Sequence, residues 1–505
     1  MTPGRLSLVD LPWLPRAPET FRASLDALGG DPAADWGPSA QQLATHHLSV
    51  NQATSLARKV RRLRAQAPSR SLARFKLGLL SHGTTDFIVP VLEAAALRHG
   101  IQLEVVAGAY GQAMQDCLDP SSALHAAGLD AVLLAFDHRG LPFRDDAAGA
   151  WPPHRADEAI AQLDAMRSAL RRHGRMPCLL QTIPTDVSPG FGSLDAALSG
   201  SLRSAVLGFN AHVARTAGEQ GDVVLDVDWL AQSVGLYDWH DERDWLMARM
   251  PFSQRAVPVY ADLVARTVAA LRGKARKCLV LDLDNTVWGG VIGDDGLDGI
   301  ALNQGDARGE AHRAVQAMAL DLRRRGVVLA VCSKNDDATA RQPFRSHPGM
   351  LLKEDDIAVF VANWEDKASN LERIAQRLDI GLDALVFLDD NPVERSQVRQ
   401  ALPQVAVPEI GADPSTYVRT VLLAGYFESV AFTPEDLQRA EQYQGNARRL
   451  ELQENTRDLG DFLRSLDMKI QFAPFGPAGR KRITQLINKT NQFNVCTRRY
   501  TEPQV

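Results

Sequence analysis

Short apolar runs alternate with longer amphipathic stretches from about residue 72 to residue 425. FKLGLLS, IQLEVVAG, LDAVLLAFD, PCLLQTIP and DVVLDVDWLA predict strands, and the segments between them carry helical periodicity. Runs that are apolar throughout fit a parallel sheet covered by helices on both faces, so 72–270 reads as one α/β domain. RGKARK (272–277) is a basic connector. KCLVLDLDNT, GVVLAVCSKND and ALVFLDDNPVE then predict three more strands, each ending in polar residues. Helices are expected around 307–325 and 366–379, and a hairpin at WGGVIGDDG. This is a second α/β domain, 274–425. Residues 1–71 read as an N-terminal extension containing a basic helix at 52–67, its charges on a solvated face. Residues 426–467 read as a charged helical linker. At 468–505, MKIQFAPFG predicts a strand and GRKRITQLINKTNQFN the start of a helix. Two such elements cannot bury their apolar faces alone, so 468–505 reads as a third domain cut short.

Composition narrows the function classes. A chain of 505 residues with 45% hydrophobic and 23% charged residues matches soluble globular proteins. The net charge of −5 argues against non-specific nucleic-acid binding as the main activity. Cys117, Cys178, Cys278, Cys332 and Cys496 show neither metal-ligand spacing nor a disulfide framework, which points to a reducing cytoplasm. The N-terminal segment lacks a secretory apolar region, and no stretch has the length of a membrane span. Nothing in the chain sets the oligomeric state.

The strand tips carry the candidate chemistry. In LVLDLDNT, Asp282 and Asp284 sit two apart at the end of a buried strand, so alternation points them to one side until the chain turns. Carboxylates crowded there repel one another and call for a cation, and hard oxygen donors suit Mg²⁺. Ser333 ends another strand with a hydroxyl, Asp389 and Asp390 end a third with carboxylates, and Lys367 opens a helix. Strand ends of open α/β sheets are where ligands bind. A nucleophile, a proton shuttle, a metal and donors for phosphoryl oxygens are what phosphoryl transfer needs. The bland alternative makes these residues helix caps and turn acids.

In order and chemistry these segments resemble the haloacid-dehalogenase (HAD) superfamily, with DLDNT (282–286) as its DxDxT motif. The resemblance implies that Asp282 attacks phosphorus and that Asp284 protonates the leaving oxygen and later activates water. It implies that Thr286 helps place the loop and bind substrate, and that Ser333 and Lys367 hold phosphoryl oxygens. Mg²⁺ is then held by Asp282, the Asp284 carbonyl, and Asp389 or Asp390. The gaps from Asp284 to Ser333 and from Ser333 to Lys367 leave no room for a large cap domain, so an open site is expected. Capping by a neighbouring domain is the alternative.

DLDNTVWGGVIGDDG, VCSKND, NWEDKASNL and FLDDNPVE together resemble the FkbH-like branch of that superfamily. LLSHGTTDFIVP and AYGQAMQDCLDPSSAL resemble its SGNH-hydrolase-like N-terminal domain, and KTNQFNVCTRRYTEPQV the start of its acetyltransferase-like domain. The resemblance implies an α/β protein with an SGNH-hydrolase-like domain, a HAD-like Rossmannoid domain and a truncated acetyltransferase-like segment. It implies a glyceryl transferase/phosphatase that dephosphorylates 1,3-bisphosphoglycerate and loads the glyceryl unit onto the phosphopantetheine arm of an acyl carrier protein. Cys332 is the acyl-accepting thiol it implies, with Lys334 and the metal favouring the thiolate and Lys334 also binding substrate phosphate; a buried structural cysteine is the alternative. Strict alternation puts Cys332 and Ser333 on opposite faces, and only a turn at the strand end brings both into the pocket. The first domain offers Ser81 and Gly111 as an SGNH serine and oxyanion glycine. It has Asp137 where an asparagine is expected, and Asp238 and His240 as DWH instead of DxxH, so a binding or positioning role is expected there. His82 and His138 read as ordinary loop histidines, and Trp229, Trp239 and Trp245 as packing aromatics. A plain Mg²⁺-dependent phosphatase and a non-catalytic carrier-docking module remain the alternative functions.

Overall fold

Nine strands form from the apolar runs among the residues described in the computed structural model. The described residues are 7–31, 33–143, 154–174, 176–185 and 190–455, and beyond them only 476, 483, 484, 486 and 505. The strand and helix expected at 468–505 lie outside them, apart from those isolated positions. Met1–Ala447 is one compact unit and Arg448–Val505 another.

The first sheet holds β1 (Ala73–Ser81), β2 (Ile101–Ala107), β3 (Ala131–Ala135), β4 (Cys178–Gln181) and β5 (Val223–Leu225), in the order β2-β1-β3-β4-β5. The second holds β6 (Cys278–Leu281), β7 (Val328–Ser333), β8 (Val359–Ala362) and β9 (Leu385–Leu388), in the order β8-β7-β6-β9. Every pair is parallel. Residues of β3, β4, β6, β7 and β9 are buried throughout, which is why these runs do not alternate in polarity.

Among the helices that flank the two sheets and the strand tips are α1 (Val50–Gln66), α2 (Val89–Arg98), α3 (Val257–Leu271), α4 (Ala307–Arg324), α5 (Lys367–Leu378) and α6 (Pro392–Ala401). A capping box between Ser49 and Gln52 starts α1. Asp366 caps α5 by accepting from the Ser369 amide, and Asn391 caps α6 with Pro392 as its first residue.

Three local expectations need correction. DVVLDVDWLA is a strand only over Val223–Leu225, because the Asp226 carboxylate accepts from the Trp229 amide and starts a helix over Val227–Val234. WGGVIGDDG is closed by an antiparallel bridge between Gly289 and Ala301, as a hairpin would be, but Ile292–Gly299 is helical with a break at Gly296 (φ 68°, ψ 179°). The basic face of α1 is not simply solvated. Arg61 donates to Glu93 at 2.6 Å, and Arg64 to the Leu103 carbonyl at 3.1 Å, so α1 is tied to the first sheet and its helices.

The core is continuous through both sheets. One buried cluster takes in Leu11 and Trp13 of the extension, Leu77 and Leu79 of β1, Val264 of α3, and Leu281, Val331 and Leu388 of the second sheet. The Trp13 carbonyl also accepts from the Glu409 amide at 2.7 Å. The extension is therefore part of the packing that supports the second sheet. Trp13 is 2% exposed, and Trp13→Ala should lower the free energy of unfolding by about 3–5 kcal/mol. Urea denaturation checks this, and a loss below about 1 kcal/mol would contradict a shared core.

Candidate active site

Register brings the acids together. Leu281 of β6 pairs with Leu388 of β9, and the Asp282 amide donates to the Leu388 carbonyl at 2.9 Å. The next residue on each strand, Asp282 and Asp389, therefore sits side by side where the strands stop. Oxygens of Asp282, Asp389 and Asp390 lie within 4.8 Å of one another. Asp389 is fully buried and Asp282 is 6% exposed.

Lys367 reaches into this cluster from the first turn of α5. Its ammonium lies 3.0 Å from Asp282 Oδ1 and also pairs with Asp389. A cation at a helix N-terminus works against the helix dipole, so these carboxylates are what hold it there. Burial opposes the charge on Lys367, yet Asp282 and Asp389 keep its pKa above the ordinary lysine value. The carboxyls respond in the opposite way. Burial pushes Asp282 up to about 6, with Asp389 repelling it and Lys367 opposing the rise. Burial and then Asp282 push Asp390 up to about 6, and burial raises Asp389 as well. Three carboxylates and one ammonium leave two negative charges uncompensated, which one divalent cation would balance. The donor set is all oxygen and fits Mg²⁺.

Asp284 lies just beyond, held by three donors. Its Oδ1 accepts from Trp288 Nε1 at 2.8 Å and from the Ile292 amide at 3.0 Å, and its Oδ2 accepts from Asn335 Nδ2 at 2.9 Å. Its side chain is not among the clustered carboxylates; the metal role expected of it runs through its carbonyl. Asn335 also lies 3.2 Å from Ser333 Oγ, so one amide ties the second strand tip to the first. Asn285 has left-handed φ (55°), which turns the chain after Asp284; its carbonyl oxygen Oδ1 accepts from the Gly290 amide and from Arg308.

Several expected site residues are placed differently from the sequence reading. Thr286 is fully buried, and its hydroxyl accepts from the Asp390 amide at 3.1 Å. It positions the acidic loop from inside. Lys334 is ion-paired with Glu394 at 2.6 Å. β7 keeps strand geometry through Ser333, so the turn that would bring both Cys332 and Ser333 into the pocket is missing. Cys332 instead lies in an apolar cluster with Leu371, Ile374 and Phe387, its sulfur 3.9 Å from the Lys367 carbonyl. Burial there raises its thiol pKa and keeps the proton on sulfur.

Other contributors escaped the sequence reading. Arg395 of α6 donates to the Asp389 carbonyl (2.9 Å) and the Asp390 carbonyl (2.7 Å). Its only sequence signal is its place on the helix that follows LDDNP. Trp288 and Asn335 follow Asp284 and Ser333 closely, but nothing in the sequence announces their bonds. Trp364, three residues before Lys367, and Val393, three residues after Asp390, are solvent-facing, at 76% and 60% exposed.

In the first sheet, Ser81 ends β1 and accepts from the Gly83 amide at 3.1 Å. His82 is not an ordinary loop histidine: its Nε2 lies 2.9 Å from Asp137 Oδ1, and both side chains are buried. Burial opposes the Asp137 charge, but its bond to His82 helps hold the carboxyl below the usual range. Gly111 has left-handed φ (73°) with open space around it. Asp238 receives Ser253 through its carbonyl, and His240 Nε2 lies 3.4 Å from the Thr185 carbonyl.

Among solved structures, the chain is similar to the N-terminal part of the protein BF1531 from Bacteroides fragilis, which contains a phosphatase domain and was crystallised complexed with Mg. The TM-score is 0.67 and the identity 31%, over 74% of this chain and 99% of that one. The chain belongs to the same HAD-like phosphatase family. A likeness over that share of the chain extends beyond the second sheet and its helices, so this HAD-like phosphatase shares more than a catalytic core with its relative. No family model matches, and no curated protein matches. No described helix is long and apolar enough to cross a membrane.

The raised carboxyls make a pH-dependent prediction. A carboxyl whose folded pKa exceeds its unfolded value binds its proton more tightly when folded. Its stabilisation is fully present below about pH 4 and is lost as pH rises through about 6. In metal-free protein, Asp390→Asn should therefore raise stability at pH 8 by roughly 1–2 kcal/mol, discounted for partial exposure, and much less at pH 4. Added Mg²⁺ should stabilise the native chain and have little effect on the variant. Thermal unfolding at the two pH values, with and without Mg²⁺, measures both; equal Mg²⁺ stabilisation of both proteins would remove Asp390 from the metal site.

Proposed function

We propose that this chain is a Mg²⁺-dependent phosphatase that works through a phosphoryl group carried on Asp282. The observation that carries this reading is the convergence of Asp282, Asp389 and Asp390 around the Lys367 ammonium at adjacent parallel strand ends. Mg²⁺, held by Asp282, Asp389 and Asp390, would offset the charge of the phosphoryl oxygens.

The chain's own groups supply the remaining roles. An Asp282 carboxylate oxygen attacks phosphorus and the bond to the leaving oxygen breaks. Lys367 holds an equatorial oxygen, and the Ser333 hydroxyl donates to another. Asp284 gives a proton to the leaving oxygen, then takes one from the water that cleaves the aspartyl phosphate. Trp288 and Asn335 fix where Asp284 starts. Arg395 and Thr286 hold the loop bearing Asp389 and Asp390, so that the carboxylates converge before substrate arrives.

The resemblance to FkbH-like proteins motivates a second, finer reading, in which the thiol of an acyl carrier protein attacks the acyl-phosphate carbonyl of a three-carbon donor, the carbonyl–oxygen bond breaks to release phosphate, and the remaining phosphate ester is hydrolysed to leave a glyceryl thioester. What supports it is the run of motifs around Asp282, Ser333, Lys367 and Asp389. An enzyme thioester on Cys332 would require the thiol to leave its apolar cluster, so carrier loading by direct transfer to the phosphopantetheine thiol is the form we favour.

Asp282→Asn should reduce hydrolysis of a simple phosphate ester by roughly a thousandfold or more, while Cys332→Ala retains most of it. Steady-state kinetics with and without Mg²⁺ separate the two. An active Asp282→Asn protein would defeat the phosphatase reading. Intact-mass analysis of a phosphopantetheinylated carrier, incubated with 1,3-bisphosphoglycerate and the enzyme, tests the finer one. No glyceryl adduct on the carrier would rule it out, and an adduct lost in Cys332→Ala would restore the thioester route.

A further inference from the structure

A small cavity lies where the first sheet's helices meet the second sheet's flank, away from the acid cluster. It measures about 40 Å³ and is lined by Thr45, Arg98 at the end of α2, His99, Arg276 of the connector, Arg399 near the end of α6, Val405–Val407 and Tyr426. Three guanidiniums therefore border a space that holds a few waters at most.

The carboxylates in reach do not balance them. Arg98 is paired with Asp262. Arg399 shares Glu409 with Arg395, at 2.7 and 2.5 Å. Arg276 donates to the carbonyls of Asp383 and Gln404, and the Asp383 carboxylate that attracts it is itself paired with Lys274. Asp262, Glu409 and Asp383 thus face four guanidiniums and the Lys274 ammonium. His99 Nε2 stands 3.6 Å from Asp262 and makes no hydrogen bond among the described residues, although its side chain is only 9% exposed. Burial lowers Arg276 and Arg399 below the ordinary arginine value, as expected of guanidiniums taken from water without full compensation.

We propose that this cavity is a binding site for a small inorganic oxyanion of the sulfate or phosphate class. Guanidinium forks match tetrahedral oxyanions, and a space this small favours a compact ion. Such an ion would bridge α2, the 272–277 connector and α6, tying the first sheet's helices to the flank of the second. The site is separate from the phosphoryl pocket, and it stands whether or not the phosphatase reading does.

The test is calorimetric titration of the full chain with sodium sulfate in the absence of Mg²⁺, against a sodium chloride control of equal ionic strength. One saturable site is expected. Thr45→Glu, which places a carboxylate at the cavity wall without removing a buried group, should weaken it roughly tenfold or more. Arg399→Gln should weaken it similarly, provided circular dichroism shows the variant folded. Lys367→Met, which empties the phosphoryl pocket of its cation, should leave sulfate affinity within about twofold. The absence of saturable binding would overturn the proposal. So would affinity unchanged in Thr45→Glu, or affinity lost in Lys367→Met and kept in Thr45→Glu, since the ion would then sit among the catalytic residues.

Discussion

The parallel register between β6 and β9 is the constraint on which the site depends. Pairing Leu281 with Leu388 forces the residues that follow, Asp282 and Asp389, into one small volume. Sliding either strand by one residue would turn its acids to the other face and scatter the cluster. Both strands are buried on both faces, so a slip would force side chains of different size into packed positions on each face. The site is thus assembled by packing that contains none of its catalytic residues, and the electrostatic cost of gathering three carboxylates is borne by a core reaching back to Trp13.

Much of this was legible in the sequence, for a definite reason. A strand buried on both faces must be apolar throughout, so the first polar residues after it mark its end. LVLDLD, VVLAVCS and LVFLDD announce both their strands and their tips. Strand order and register are set by tertiary contacts and leave no local trace, so the adjacency of Asp282 and Asp389 could be expected only from the requirements of the chemistry. Trp288, Asn335 and Arg395 were illegible for the same reason. Each acts through a bond to a residue brought close by the fold, and nothing in its own neighbourhood distinguishes it from a packing or surface residue.

Cys332 shows where a motif and a strand make opposing demands. VCSKN invites a thiol role, but alternation assigns neighbouring residues to opposite faces unless the strand breaks. Here the strand persists through Ser333, and the apolar face wins: the sulfur packs with Leu371 and Ile374, and burial keeps it protonated. Ser333, one residue on, is linked through Asn335 to Asp284. Thr286 makes a related point. Its hydroxyl is spent on the Asp390 amide, so its part in the motif is to fix the acidic loop from inside.

Two unbalanced charge groups flank α6 and are joined by one shared carboxylate. At the strand tips carboxylates outnumber cations, and in the junction cavity guanidiniums outnumber carboxylates. Glu409 stands between them, bonded to Arg399 on the cavity side and to Arg395 on the other, while Arg395 grips the carbonyls of Asp389 and Asp390. Whatever draws Arg399 away from Glu409 leaves that carboxylate more fully to Arg395, and so bears on the loop that carries two of the three acids. Both groups are held by α6, whose N-terminus caps the acidic loop and whose C-terminal half borders the cavity.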